Sequence, residues 1–398
     1  MCGIAGYKLT KNINISEEDI YKLLYHRGPD HFGATTIENF FICNARLKIQ
    51  DLNSGNQPFI TPDKDYALVY NGELYNKDEI KALLKGDYQF QSNSDTEVVF
   101  YALIEYGIEI VKKFNGMFAF CFIDKKNQKL IIARDRFGVK PIYYFKNKEE
   151  FAFASEMMTL KELIPYKNIN PSAIKSYLQT NYINDDTNIY EDCHSIKPGE
   201  YIELDLKSFI LKRNKYWQLI IKEERNYHKE ELDDLLANSV KRQLISDRPV
   251  GVYLSSGIDS ATMAYYARKN LGEVNAYNVS FDHPDFDESK VASQLANDLG
   301  LNFNKVTFSS DNFINELNNY SKQTSLPIAD LGMYPLYYLS KFIKETSTVV
   351  LSGDGGDEIF GGYPTLKASL LHHKYKNWLR LSLGPARMTL PLLKLLNK

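Results

Sequence analysis

PVGVYLSSGIDS, residues 249–260, decides how the second half of the chain folds. Its first six residues suit a buried strand, Ser255, Ser256 and Gly257 form a tight turn, and helical periodicity runs from 258 to about 270. The pattern recurs downstream. VNAYNVSF (274–281) precedes a helix at 288–299, NFNKVTF precedes a helix near 311–322, and TVVLS (348–352) runs into SGDGGDE (352–358). Strands alternating with helices predict an α/β, doubly wound, largely parallel sheet. Ligands bind such sheets beyond the carboxyl ends of strands, where both small-residue turns fall. Ser255, Ser256, Gly257 and Ser260 offer N–H and hydroxyl donors at a helix N-terminus, which suits a phosphate. The second turn adds glycines that allow close approach and carboxylates able to hold Mg²⁺. The chain has no G-x-x-x-x-G-K-[ST], and no G-x-G-x-x-G follows a strand.

Upstream the pattern differs. From residue 3 to about 205, short β-rich runs dominate: GIAGYKL, FFICNARL, DYALVYNGE, GMFAFCFID, KLIIARD, PIYYF, EFAFASE and EYIELDL. Helical periodicity is confined to 17–25, 77–85 and 95–113, and Ser94-Asp95-Thr96-Glu97 reads as a helix start. An α+β sandwich is the expected architecture. The charged stretch 206–228 reads as a linker into a helix at 229–243, so 398 residues divide into two domains. Net charge is -2, which indicates no nucleic-acid partner. The apolar runs are short and no leader pattern opens the chain, so no membrane contact is expected and the cytoplasm is the expected compartment. Cys43, Cys121 and Cys193 read as packing residues.

Cys2 stands apart. Removal of Met1 would leave a residue carrying both a thiol and an α-amine, whose pKa of about 8 makes it a usable base near neutrality. Arg46 is a fork-shaped cation suited to an α-carboxylate, Asp95 can balance an ammonium, and Asn71-Gly72 pairs a side-chain amide with a backbone N–H as oxyanion donors. Each has a bland alternative taken singly: a surface charge, a helix cap, a turn. The constellation has a sharper meaning.

MCGIAG, His26-Arg27-Gly28-Pro29-Asp30, NGELYN (71–76), Ser94-Asp95-Thr96-Glu97, GMFAF (116–120), RDRFG (134–138) and Ala154-Ser155-Glu156 resemble, in order, the class II glutamine amidotransferases. That resemblance implies an N-terminal-nucleophile fold, an αββα sandwich, over residues 2–205. It implies Cys2 as nucleophile, Asn71 and Gly72 as the oxyanion hole, and Arg46, Glu73 and Asp95, with Asn71 and Gly72, as the glutamine pocket. The 26–30 block is expected to shape the pocket wall. The two downstream turns are similar to those of glutamine-dependent asparagine synthetases, which implies an ATP-pyrophosphatase domain over 229–398. ATP would then meet Leu254, Ser255, Ser256, Gly257, Asp259, Ser260, Val279, Ser352 and Gly353, with Asp259 and Asp357 on Mg²⁺. The implied reaction joins glutamine-derived ammonia to an adenylated carboxylate, aspartate first among candidates, with a homodimer as a candidate assembly. A uronate of surface polysaccharide, or glutaminase activity alone, are the alternatives.

The chain departs from that family in three places. Ser256 stands where the loop has glycine. Asp354, the expected catalytic carboxylate of the second turn, stands where the family tends to carry glutamate. Residues 364–398 contain seven Lys or Arg, many leucines and no acid. They read as an amphipathic helix meant to pack on sequence the chain does not contain, with a membrane-surface or partner-binding helix as the other reading. The synthetase domain is accordingly expected to be incomplete.

Overall fold

The computed structural model describes residues 1–8, 15–183, 187–221, 228–321, 324, 326, 327 and 329–376. In the N-terminal part the strands alternate two kinds of apolar face. Phe40 and Ile42 point one way while Phe41, Cys43 and Ala45 point the other; Ala67 and Val69 oppose Leu68 and Tyr70; Ala119, Cys121 and Ile123 oppose Phe118, Phe120 and Phe122. With a period of two and both faces apolar, every such strand must be covered on both sides.

Two antiparallel six-stranded sheets satisfy that demand. One runs Cys193–Ser195, Tyr143–Lys146, Phe151–Ala154, Gly3–Lys8, Phe40–Arg46, His31–Ile37 in spatial order, and the other Leu211–Lys215, Glu200–Asp205, Lys129–Arg134, Gly116–Asp124, Tyr66–Leu74, Phe59–Ile60. Ile4, Ile42, Val69, Cys121, Ile132 and Phe153 fill the space between them. Helix Asp95–Tyr106 covers the outer face of the second sheet through Val98, Val99, Ala102 and Leu103. Ile20 and Leu24 of Glu17–Leu24, with Met157 and Leu160 of Met157–Glu162, cover the first. The result is the expected αββα sandwich, and Cys43, Cys121 and Cys193 are buried packing residues within it.

Local signals set the helix ends. Ser94 caps its helix by accepting from Thr96 N, and Ser16 caps Glu17–Leu24 by accepting from Asp19 N. The periodic run 95–113 breaks at Gly107, whose φ of 63° ends the α-helix before a 3₁₀ turn, Gly107–Lys113. The run at 77–85 is helical only over Lys77–Lys81. Strands His31–Ile37, Phe59–Ile60, Cys193–Ser195 and Leu211–Lys215 go beyond the sequence expectation. The last lies inside the stretch read as a linker, pairing with Glu200–Asp205 as a charged edge strand.

Helix Lys229–Gln243 leads into a four-stranded sheet ordered Asn302–Phe308, Asn275–Phe281, Val250–Tyr253, Val349–Leu351. Helices Ile258–Leu271 and Ser289–Leu299 connect its first three strands. Strand order therefore reverses beside Val250–Tyr253, the doubly wound arrangement. A helix Met333–Ile343, not foreseen, precedes the last strand. Two compact units are distinguishable: Met1–Gly251, Val279–Asp287 and Lys305–Val349 form one; Val252–Asn278, Glu288–Asn304 and the described residues from Val350 form the other. Residues 364–376 are helical and exposed, and the tail reading beyond 376 lies outside the described residues. Among the described residues no helix is long and apolar enough to cross a membrane.

One buried carboxylate fixes the turn after Lys129–Arg134. Asp135, 1% exposed, accepts the backbone N–H groups of Phe118, Phe137, Val139 and Lys140 at 2.9–3.2 Å. Asp135→Ala orphans these donors and should cost about 3 kcal/mol, read as a lowered midpoint in denaturant; an unchanged midpoint would contradict this role.

Candidate active site

A chain terminus frays unless it is tied down, and here Cys2, Gly3 and Ile4 are each tied. Arg27 Nε donates to the Cys2 carbonyl at 3.0 Å while its Nη1 meets Glu156 at 2.6 Å, and His26 Nε2 lies 2.9 Å from the same carboxylate. Ile4 N donates to Ser155 Oγ at 2.9 Å, and Ser155 N returns a bond to Ile4 O at 2.8 Å. Gly3 packs so closely that a Cβ would sit 2.9 Å from Leu24 Cδ2. The 26–30 block is thus a brace: Gly28 lies flat against the Ala45 carbonyl, and Asp30 accepts Lys48 N at 2.8 Å.

The Cys2 thiol faces Leu47 O at 3.8 Å. Burial pushes this thiol up, opposed by the adjacent α-amine and by Arg46, so the resting group is a thiol that needs a base. The α-amine beside it here is that of Met1, which burial pulls down to about 5; removal of Met1 would transfer the α-amine to Cys2 itself.

Arg46 closes strand Phe40–Arg46 and is 4% exposed. Its Nη2 donates to Gln50 O at 2.9 Å and Asp51 O at 2.7 Å, and Nη1 donates to Asn56 Oδ1 at 3.1 Å. Gly55 lies where a Cβ would press 2.5 Å from Nη2, so the space by the guanidinium exists because no side chain occupies it. Two acids face this region. Glu73 accepts from Gln50 Nε2 at 2.5 Å, and Asp95 accepts Leu74 N at 2.7 Å. Burial, then the Asp95 charge, push Glu73 up to about 8; burial also raises Asp95. An arriving cation would relieve both.

Asn71 is 1% exposed within Tyr66–Leu74, yet neither its Oδ1 nor its Nδ2 has a partner. Buried polar atoms are normally paired. Asn44 Nδ2, donating to Tyr70 O at 3.1 Å, joins the two sheets one residue before it. Gly72 has no room for a side chain, since a Cβ would meet Met117 O at 2.5 Å.

Three contributors escape a reading of residue types. Lys140, 4% exposed, interacts electrostatically with Glu73, Arg27 and Cys2, and burial pulls it down to about 8. Gln50 links Glu73 to Lys77 Nζ, which it meets at 3.1 Å. Arg27 holds the Cys2 carbonyl. Lys140 follows RDRFGV and Arg27 follows His26 in motifs that the sequence displays, but nothing in their chemistry told which would point inward.

The second group of residues surrounds the turn after Val250–Tyr253. Leu254 is 2% exposed and donates its N–H to Tyr277 O at 2.9 Å. Ser260 Oγ accepts from Ser255 N at 3.1 Å, and Gly257 N donates to Ser255 Oγ at 3.1 Å. Ser256 gives both its N–H and its hydroxyl to Glu288 Oε2, at 3.2 and 2.7 Å. The companion turn lies against this one: a Cβ on Gly353 would be 2.9 Å from Ser260 N, and one on Gly356 would overlap the Asp259 carboxylate. Ser352 Oγ donates to Asp354 Oδ2 at 2.9 Å, while Gly362 makes room for the Asp357 carboxylate. Val279 is half-buried in its own strand.

A glutamine amidotransferase domain model matches residues 1–217, and an asparagine synthase model matches 231–397. A putative glutamine-hydrolysing asparagine synthetase of Methanocaldococcus jannaschii is 33% identical over 395 residues, 92% of this chain and 76% of that one. Asparagine synthetase 1 of Bacillus subtilis is 32% identical over 91% of this chain, and the amidase chry2 of Gibberella zeae 30% identical over 98%. The chain spans 59% and 62% of the length of these last two.

Burial separates the four cysteines sharply. In the folded chain iodoacetamide should label Cys2 alone, more slowly at pH 7 than a free thiol because its pKa is raised; unfolding should expose all four. Mass mapping of the labelled peptides checks this, and modification of Cys43 or Cys121 before unfolding would refute it.

Proposed function

The chain belongs to the asparagine synthase family, a glutamine amidotransferase domain ahead of an asparagine synthase domain, and we propose that it makes an amide from glutamine, ATP and a carboxylic acid, with aspartate as the acid. The single observation that carries the first half is Asn71. A buried donor, Asn71 Nδ2, left unpaired with Gly72 N beside it in sequence, is prepared for charge that only an intermediate supplies. In this reading Cys2 attacks the glutamine amide carbon after its thiol proton passes to the α-amine. Asn71 and Gly72 hold the oxyanion, ammonia leaves, and water releases glutamate from the thioester. Arg46 takes the glutamine carboxylate; Glu73 and Asp95 take its ammonium, which suits two acids whose carboxyls burial pushes up and whose charge an arriving cation would favour.

At the second site ATP would lie on Ser255, Ser256, Gly257 and Ser260, with Leu254, Val279, Ser352 and Gly353 towards the nucleoside. Asp259 and Asp357 would hold Mg²⁺. The donors fit: Mg²⁺ is commonly held by one or two carboxylates plus substrate phosphates, and Gly356 carries no side chain where a Cβ would overlap the Asp259 carboxylate. The acceptor carboxylate attacks the α-phosphorus, pyrophosphate leaves, and ammonia displaces AMP from the acyl-adenylate, with Asp354 as the carboxylate beside that step. Thirty per cent identity to a fungal amidase, together with Asp354, supports a second reading in which the chemistry is kept and the acid is not aspartate.

Mixing the protein with ATP, Mg²⁺, glutamine and aspartate should yield AMP only when the acid is present; AMP formed with another carboxylate but not aspartate selects the second reading, and ATP left intact with every acid refutes both. Cys2→Ala should abolish glutamine-dependent synthesis and leave ammonia-dependent synthesis, and a retained Met1 should be as damaging. For pH the sign follows from Glu73. Its carboxylate, needed for the ammonium, forms as pH rises through about 8, so kcat/KM for glutamine should climb from pH 7 to 8. Glu73→Gln should raise KM and flatten that climb; an unchanged profile would remove Glu73 from the pocket.

A further inference from the structure

Residues 47–51 form no regular element, yet most of the glutamine pocket leans on them. Leu47 O faces the Cys2 thiol, Gln50 holds Glu73, and the carbonyls of Gln50 and Asp51 hold Arg46. Asp51 sits at φ 52°, a left-handed conformation that is uncommon for a residue with a Cβ, though aspartate tolerates it better than most. Its carboxylate accepts Asn53 N, Ser54 N and Asn93 N, which secures one side.

The other side is secured from far along the chain. Asp51 N donates to Asp247 Oδ2 at 2.7 Å, Asp247 N donates to Ile49 O at 2.9 Å, and Arg248 Nε donates to Lys48 O at 3.1 Å. Arg248 Nη2 also lies 3.9 Å from Asp30 Oδ2, the oxygen that accepts Lys48 N. All these residues belong to one compact unit. Two consecutive residues therefore hold three backbone groups of a five-residue segment, and two of those bonds are charge-assisted, the stronger kind. Residues 247 and 248 lie beyond the glutamine amidotransferase match and inside the asparagine synthase match.

We propose that Asp247 and Arg248 are positioning residues for glutamine binding: the pocket built by residues 1–217 is completed by a clasp from the chain that enters the four-stranded sheet. The proposal rests on the glutaminase reading above. Releasing Asp51 N lets the left-handed backbone relax, and the carbonyls that orient Arg46 shift with it. A recognition fork tolerates only about half an ångström of such movement. The Cys2 carbonyl is held by Arg27 and the neighbouring Ile4 by Ser155, neither of which bonds the 47–51 segment, so the loss falls mainly on binding rather than on the chemical step.

The test uses the full chain. Asp247→Ala should raise KM for glutamine roughly ten- to hundredfold, the effect of losing a charge-assisted hydrogen bond, with kcat held within about twofold. Asp247→Asn keeps an oxygen acceptor for Asp51 N and should restore KM, and Arg248→Ala should act like Asp247→Ala. Hydrogen exchange on the same proteins should show the Asp51 amide exchanging faster in Asp247→Ala than in the parent. Equal KM in parent and Asp247→Ala, no rescue by asparagine, or an unchanged Asp51 amide overturns the clasp. A parent protein that leaves glutamine intact overturns the glutaminase reading instead, while the exchange of Asp51 still decides whether the clasp holds the segment.

Discussion

Everything proposed for the first site depends on immobilising the second residue of the chain. A terminal residue has covalent support on one side only, and ordering it costs about 1–2 kcal/mol of backbone freedom per residue fixed. The structure meets that cost with contacts on consecutive residues: Arg27 to the Cys2 carbonyl, Gly3 pressed onto Leu24, and the reciprocal pair between Ile4 and Ser155. Arg27 is in turn oriented by Glu156, which His26 shares. Cys2 is thereby placed by residues from two distant stretches of sequence, 24–27 and 155–156. This explains why short motifs around 26–30 and 154–156 accompany Cys2 without offering any chemistry of their own.

The same requirement shapes the electrostatics. Cys2, Arg46, Glu73, Asp95 and Lys140 are held in a region where burial penalises every charge, and each shift on the acids and on Lys140 runs towards neutrality for that reason. Such an arrangement is poor for stability, because neither acid has a buried cation bonded directly to it among the described contacts. It is well suited to a zwitterionic amino acid, whose carboxylate and ammonium supply the missing opposite charges at once.

Much of this was legible in the sequence. The eight upstream β-runs became strands because their residues are apolar on both faces, which leaves a strong signal in composition. Leu211–Lys215 was hidden for the opposite reason: LKRNK is an edge strand facing solvent, and its charges protect the edge while erasing the apolar pattern. His31–Ile37 is half-exposed along most of its length and equally faint. The helix Met333–Ile343 carries Pro335 in its first turn, where proline is tolerated but reads as a breaker. Arg46, Asn71 and Asp95 could be named from residue type and motif. Asp135, Gln50 and Lys140 could not, since their importance lies in which backbone amides or buried charges they meet, and that is fixed only when the sheets close.

Asn71 shows how far a sequence argument reaches and where structure takes over. Asn-Gly commonly marks a turn, and on residue type alone that reading competes with an oxyanion donor. The register removes the competition. Asn71 pairs with Ala119 and Gly72 with Phe118 inside a continuous ladder from Tyr66 to Leu74, so no turn forms there. Burying an amide within a strand and leaving both its polar atoms unpaired costs about 1–3 kcal/mol for each group, and no packing gain recommends asparagine over leucine or valine at such a position. A penalty carried in the resting protein is understandable if the missing partner arrives with the substrate. Gly72 follows the same logic from the steric side: with Met117 O and Phe118 Cβ already in contact range, any side chain would open the ladder at the point where its N–H must stay in place.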